Sequence, residues 1–203
     1  MSASIFISYR RSDAAGHAGH LFDRLAHWFD EGALFYDAQS IEAGDVFPQR
    51  LVDGIDGAKV VLVLIGPDWV AELNRRAVLP ETDFVRSEVE HALRRHAAPG
   101  GPKVIPALLG GAAAPSAADL DASLRNAIAP LLTLDMHSFQ GKNDDWNRQF
   151  VRLRELVGVV PGVAAPRFRV PAGAEPPPFH VIDQSLSAHF SDPNHMLAEL
   201  QRA

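Results

Sequence analysis

The sequence predicts an α/β fold: a parallel sheet of five strands with helices on both faces. Three observations predict it. Short β-rich runs alternate with helix-period stretches five times over the first 156 residues. The run Lys59–Ile65 (KVVLVLI) is continuously apolar, as a central strand covered on both faces must be. With 203 residues, 47% hydrophobic and 22% charged, the chain has the composition of a folded globular protein and the size to bury a core. Strands that alternate with helices pair in parallel through right-handed crossovers.

Ser4–Tyr9 (SIFISY) reads as the first strand. Leu21, Phe22, Leu25, Trp28 and Phe29 follow at helical spacing, with polar residues between them. Ala33–Asp37 (ALFYD) is strand-like. Phe47, Leu51 and Ile55 recur at i, i+4 and i+8, a helical stripe. After the central strand, Asp83–His96 reads as a helix with Asp83 as its N-cap. Lys103–Leu109 is a strand, although Pro106 removes one ladder donor. Asp119–Ala129 is a short helix, Leu131–Met136 the last strand and Trp146–Val157 the last helix. In such a sheet a ligand sits outside the carboxyl ends of the strands. The loops of interest are therefore 9–17, 37–46, 66–82, 109–118 and 137–145.

The division expected is a domain over 1–157, a linker over 158–179 and a tail over 180–203. Residues 157–179 hold six of the fifteen prolines, the composition of an extended, semi-rigid spacer. The tail carries Val181, Ile182, Leu186, Phe190, Met196, Leu197 and Leu200, too few apolar residues for a core of its own. It reads as a short helical tail or the start of a further module, dispensable for chemistry.

Several classes are set aside. The chain has no cysteine, which excludes disulfides, thiolate zinc sites and a cysteine nucleophile. A net charge of −6 argues against direct nucleic-acid binding. No apolar run approaches the ~20 residues that span a bilayer, so no membrane partner is expected. MSASIFISYRR lacks the pattern of a signal peptide, so the expected address is cytoplasmic. His17 and His20 lie i, i+3 without a third ligand, so no metal is expected. There is no P-loop motif. Gly100-Gly101 and Gly110-Gly111 read as turns. Ser8 and Ser12 lack nucleophile-elbow glycines.

Helix 83–96 carries the informative residue. With Phe84 at 0° and about 100° per residue, Glu88 falls near 40°, Ala92 near 80°, Val85 near 100°, Val89 near 140° and Leu93 near 180°. Glu88 thus lies inside the apolar arc, while Arg86, Glu90 and Arg94 occupy the opposite side. A carboxylate there costs free energy unless it is paired or serves chemistry. Geometry alone leaves both readings open: an edge glutamate paired with Arg95, near 20°, or a functional carboxylate.

Four blocks in order, IFISYRRSD at 5–13, FYDAQSIEAGDVF at 35–47, VVLVLIGPDW at 60–69 and DFVRSEVEHAL at 83–93, resemble the TIR (Toll/interleukin-1 receptor) domain in its bacterial form. The resemblance covers about residues 3–157. It implies a flavodoxin-like sheet of five parallel strands. It also implies an activity, since many bacterial and plant members cleave NAD+ between nicotinamide and ribose, as substrate rather than cofactor. Their catalytic glutamate on the third helix, often in a W-x-x-x-E pattern, corresponds to Glu88, with Phe84 in place of the tryptophan. Phe84 would offer an aromatic face for a substrate ring, and Trp69 a second, unless Trp69 packs beneath its loop. Tyr9, Arg10 and Arg11 follow the first strand, where the arginines would neutralise a pyrophosphate or form a solvated basic corner. Asp37 opens the 38–46 loop, and Asp37, Gly44 and Asp45 match the outline of the family's BB loop. In the family that loop contacts a neighbouring protomer. The resemblance therefore implies self-association, in filaments if the contact does not close, and a place in bacterial immune, anti-phage signalling. The alternative is a non-catalytic scaffold. A receiver domain is set aside because Tyr9-Arg10-Arg11 replaces its acidic pair. A nucleoside deoxyribosyltransferase is set aside because Arg10-Arg11 suits a pyrophosphate better than a nucleoside.

Overall fold

A computed structural model describes residues 4–29, 31–36, 49–139 and 143–163. Five strands, β1 (Ile5–Ser8), β2 (Leu34–Tyr36), β3 (Val60–Ile65), β4 (Lys103–Leu108) and β5 (His137–Ser138), form one sheet in the order β2-β1-β3-β4-β5, and every pairing is parallel. This is the flavodoxin-like order, whose switch point lies between β1 and β3. The helices are α1 (Arg11–Trp28), α2 (Gln49–Gly57), α3 (Trp69–Ala77), α4 (Phe84–His96), α5 (Ala122–Leu132) and α6 (Asn143–Gly158).

Side chains alternate across a strand, and the alternation sorts the core into two layers. Phe6, Val61, Val63, Ile65, Val104 and Leu108 pack with Leu51, Ile55, Trp69, Leu73, Val89, Leu93, Leu124 and Ile128, the inner stripes of α2, α3, α4 and α5. Gly54 lets α2 come close to this face. A Cβ there would sit 3.2 Å from the Phe35 ring and 3.3 Å from Phe6. On the opposite side of the sheet α1 buries Ala14, Ala18, Leu21, Leu25 and Trp28. α6 is clamped to α1 by guanidinium–ring contacts: Arg24 lies 4.4 Å from the Phe150 centroid and Arg154 lies 4.3 Å from that of Trp28.

Pro106 costs no ladder bond. The amides of Lys103 and Leu109 point to β3, at Lys59 and Ile65 carbonyls, so the nitrogen of Pro106 faces the other way. On that side β5 pairs only with Ala107 and Leu108.

Three expectations are corrected. The segment 66–82 is not all loop, because Trp69–Ala77 forms α3. Leu131 belongs to α5 rather than to a strand. Leu124, Ile128 and Leu131 continue one buried helical stripe through Pro130, and the last strand shifts to His137–Ser138. The first helix starts at Arg11, immediately after the first strand's carboxyl end. Asp37, the 38–46 loop and residues 164–203, with most of the expected linker and all of the tail, lie outside the described residues.

At the edge strand, His137 is buried and its Nε2–H donates to the Gln149 carbonyl at 2.7 Å. Burial pushes its pKa below the usual value; the Gln149 bond opposes this and the Arg152 charge adds to it. The folded protein therefore holds the neutral ring. As pH falls below about 6.5 the unfolded chain takes up the proton first, and stability declines. The melting temperature should fall more between pH 8 and pH 5.5 in the wild type than in His137→Gln. Equal declines would contradict this assignment.

Candidate active site

The carboxyl ends of β1 and β3 set the site. Phe6 packs into the layer covered by α4, so Ser8, two residues on, faces the same way. α4 turns Glu88, Val89, Ala92 and Leu93 inward. Ser8 Oγ consequently meets Glu88 and donates to its Oε2 at 2.6 Å, across 80 residues of sequence. Ser8 is 1% exposed and Glu88 9%. A hydroxyl bonded to a carboxylate at this length is a strong, charge-assisted contact. Glu88 is thus not an edge glutamate paired with Arg95. Arg95 lies 3.0 Å from Asp56 instead.

Arg10 departs from both readings given for it. Its side chain is neither a solvated corner nor turned out towards a ligand. It is 4% exposed, and Nη2 donates to Asp83 Oδ2 at 2.7 Å. Asp83 does precede α4, but its side chain makes no capping bond to the helix. Its backbone carbonyl instead accepts from Ser87 N and Ser87 Oγ, at 3.0 and 3.1 Å.

Phe84 opens α4 one turn before Glu88 and is partly buried. Tyr9 follows β1 and is also partly buried. Trp69 is 0% exposed, packed in the core layer as the first residue of α3. It offers no face to an incoming ring, so its expected stacking role is replaced by a packing role beneath the loop. Among the residues expected at the site, the structure brings Glu88, Phe84 and Arg10 to one sheet edge and removes Trp69 to the interior.

Two members of this site, Ser8 and Asp83, carry no motif that marks them as such in the sequence. The signal for Ser8 was the strand alternation itself, since it shares a face with Phe6. No sequence signal distinguished an Asp83 that caps from one that reaches another helix. Beside them, Asp13 on α1 accepts from Asp68 N at 3.0 Å, where Gly66 leaves the necessary space. A Cβ at Gly66 would lie 2.4 Å from the Asp13 carboxylate. Among the described residues no three His, Cys, Asp or Glu side chains form a metal-binding group. No helix among them is long and apolar enough to cross a membrane.

A family model described as TIR domain matches residues 5–153. The chain belongs to the TIR domain family. Among solved structures, the TIR domains of the activated Roq1 resistosome, which directly recognizes the pathogen effector XopQ, are similar in fold. The TM-score is 0.56 at 14% identity, over 77% of this chain and 99% of that one. No curated protein matches. Within this TIR domain Glu88 lies on α4 rather than on a third helix, because the short α3 shares the β3-to-β4 crossover with it.

Proposed function

We propose that this TIR domain cleaves NAD+ at the nicotinamide–ribose bond, with Glu88 as its catalytic carboxylate. The observation that carries the reading is a glutamate 9% exposed at the carboxyl edge of the sheet, beside the switch point and held by Ser8. Its place four residues after Phe84 matches the W-x-x-x-E spacing of the family's catalytic glutamate. A carboxylate in such a place costs free energy that a scaffold has no need to spend.

The chemistry requires little else. Nicotinamide leaves as a neutral base from a cationic ring. The ribosyl centre left behind develops oxocarbenium character, as in glycoside cleavage. Glu88, fixed beforehand, stabilises that positive charge and accepts hydrogen bonds from ribose hydroxyls. Capture by water gives ADP-ribose, and internal capture by adenine gives a cyclic isomer. Phe84, at the mouth of α4, is the aromatic surface for a substrate ring. With Arg10 committed to Asp83, Arg11 is an exposed cation at the start of α1, suited to a pyrophosphate.

We further propose a role in cytoplasmic immune signalling through self-association, with the 38–46 loop as the contact; the family and the resistosome neighbour support the self-association. Specific activity should then rise with protein concentration. The test is incubation of the purified chain with NAD+ at several protein concentrations, with nicotinamide and ADP-ribose products separated by chromatography. Activity per molecule that is flat across concentrations, from a monomer by light scattering, would contradict the dependence on assembly.

A further inference from the structure

α1 and α4 begin at the same edge of the sheet from residues that do not cap them. Arg10 precedes α1 and Asp83 precedes α4, and neither side chain bonds an amide of its own helix. An aspartate in that position ordinarily accepts from the second or third amide of its helix. Here the two side chains bond each other instead, at 2.7 Å and 4% exposure apiece. α1 and α4 cover opposite faces, so the bond passes over the edge of the sheet. Two residues before Arg10, Ser8 holds Glu88. One short segment, 8–10, therefore grips one helix at two points, residues 83 and 88.

We propose that the Arg10–Asp83 pair is a positioning device for Glu88, fixing how α4 is rotated and seated against β1. The buried stripe of Val89, Ala92 and Leu93 seats α4 on the sheet but is not directional, and the Ser8 bond fixes one point of the helix. A second bond five residues earlier, about 7.5 Å along the axis at about 1.5 Å per residue, fixes another point and with it the fine rotation and axial position of the first turns. Ser87 stiffens the turn between them through its two bonds to the Asp83 carbonyl. Stability alone does not account for the pair, since two buried charges are commonly matched or surpassed by apolar side chains of similar volume. Directional bonding is what apolar side chains do not supply. The catalytic consequence rests on the NAD+ reading; the positional one does not.

The test is the double variant Arg10→Met/Asp83→Leu in the full chain, which removes both charges together. Two quantities are read: kcat and KM for NAD+ cleavage, and the side-chain carboxyl 13C resonance of Glu88, identified by its absence in Glu88→Gln. The double variant should melt at or above the wild-type temperature, yet lose about tenfold or more in kcat with KM close to wild type, because small misplacements of a reacting group cost rate. The Glu88 resonance should move. A purely structural pair would recover full kcat along with stability. A folded double variant with wild-type kcat and an unmoved resonance overturns the proposal. Should the double variant not fold, Asp83→Glu keeps both charges and lengthens the link by one methylene, so the start of α4 must shift against β1; unchanged kcat and resonance in it overturn the proposal equally. If the wild type leaves NAD+ intact, the reading of the activity fails, and the resonance alone decides the positioning claim.

Discussion

Glu88→Gln is expected to abolish NAD+ cleavage while the protein stays folded. The substitution is nearly isosteric, and the amide oxygen still accepts the Ser8 hydroxyl that now bonds Oε2. What disappears is the negative charge beside the developing oxocarbenium ion. Removing one preorganised electrostatic partner of a transition state costs about 10²- to 10³-fold in rate. Glu88 is the buried carboxylate that also falls on the family motif, so the loss should fall at the upper end. Circular dichroism and the melting curve should be close to wild type, since neither the core layer nor the α4 stripe changes. A folded Glu88→Gln protein with full activity would remove Glu88 from the mechanism.

The second large effect is on stability. Asp83→Leu alone strands the Arg10 guanidinium, 96% buried as a side chain, without its carboxylate. Breaking a buried pair from one side costs about 3–5 kcal/mol, because the remaining charge is desolvated and unpaired. At about 2–4 °C per kcal/mol for a unit of this size, the melting temperature should drop by roughly 10 °C. The exposed pair on α3 makes the contrast. Its Arg75 hydrogen bond holds the Glu72 carboxyl down to about 2, yet the Arg75 side chain is 55% exposed. Solvent screens such a pair, so Glu72→Gln should leave the melting temperature almost unchanged. A drop for Asp83→Leu no larger than that for Glu72→Gln would mean that the Arg10–Asp83 pair is open to water.

The parts of the fold legible in the sequence are those with strong local periodicity. VVLVLI had to be a central strand, and the arc of α4 placed Glu88 inward before any contact was known. The α3 helix is not legible because only Trp69 and Leu73 mark its inner face, behind Gly66-Pro67 that reads as a turn. The last strand was misplaced because Pro130 reads as a helix stop, whereas it sits within α5 and lets Leu131 complete the stripe. At the candidate site, the inward position of Glu88 was legible and its partners were not. Ser8 and Arg10 meet Glu88 and Asp83 across 80 and 73 residues, and only the strand order brings those segments together. Local pattern likewise made Arg10 and Trp69 look available, whereas tertiary packing commits one to an ion pair and the other to the core.

The most direct measurement of the central claim follows NAD+ itself by proton NMR in the presence of the purified full chain at high protein concentration. The ring resonances of the nicotinamide riboside should be replaced over time by those of free nicotinamide. One equivalent of an ADP-ribose product should accompany them, and Glu88→Gln at the same concentration should leave the spectrum unchanged. NAD+ that remains intact with the wild-type chain at every concentration tried would contradict the account and leave a TIR domain that works by assembly alone.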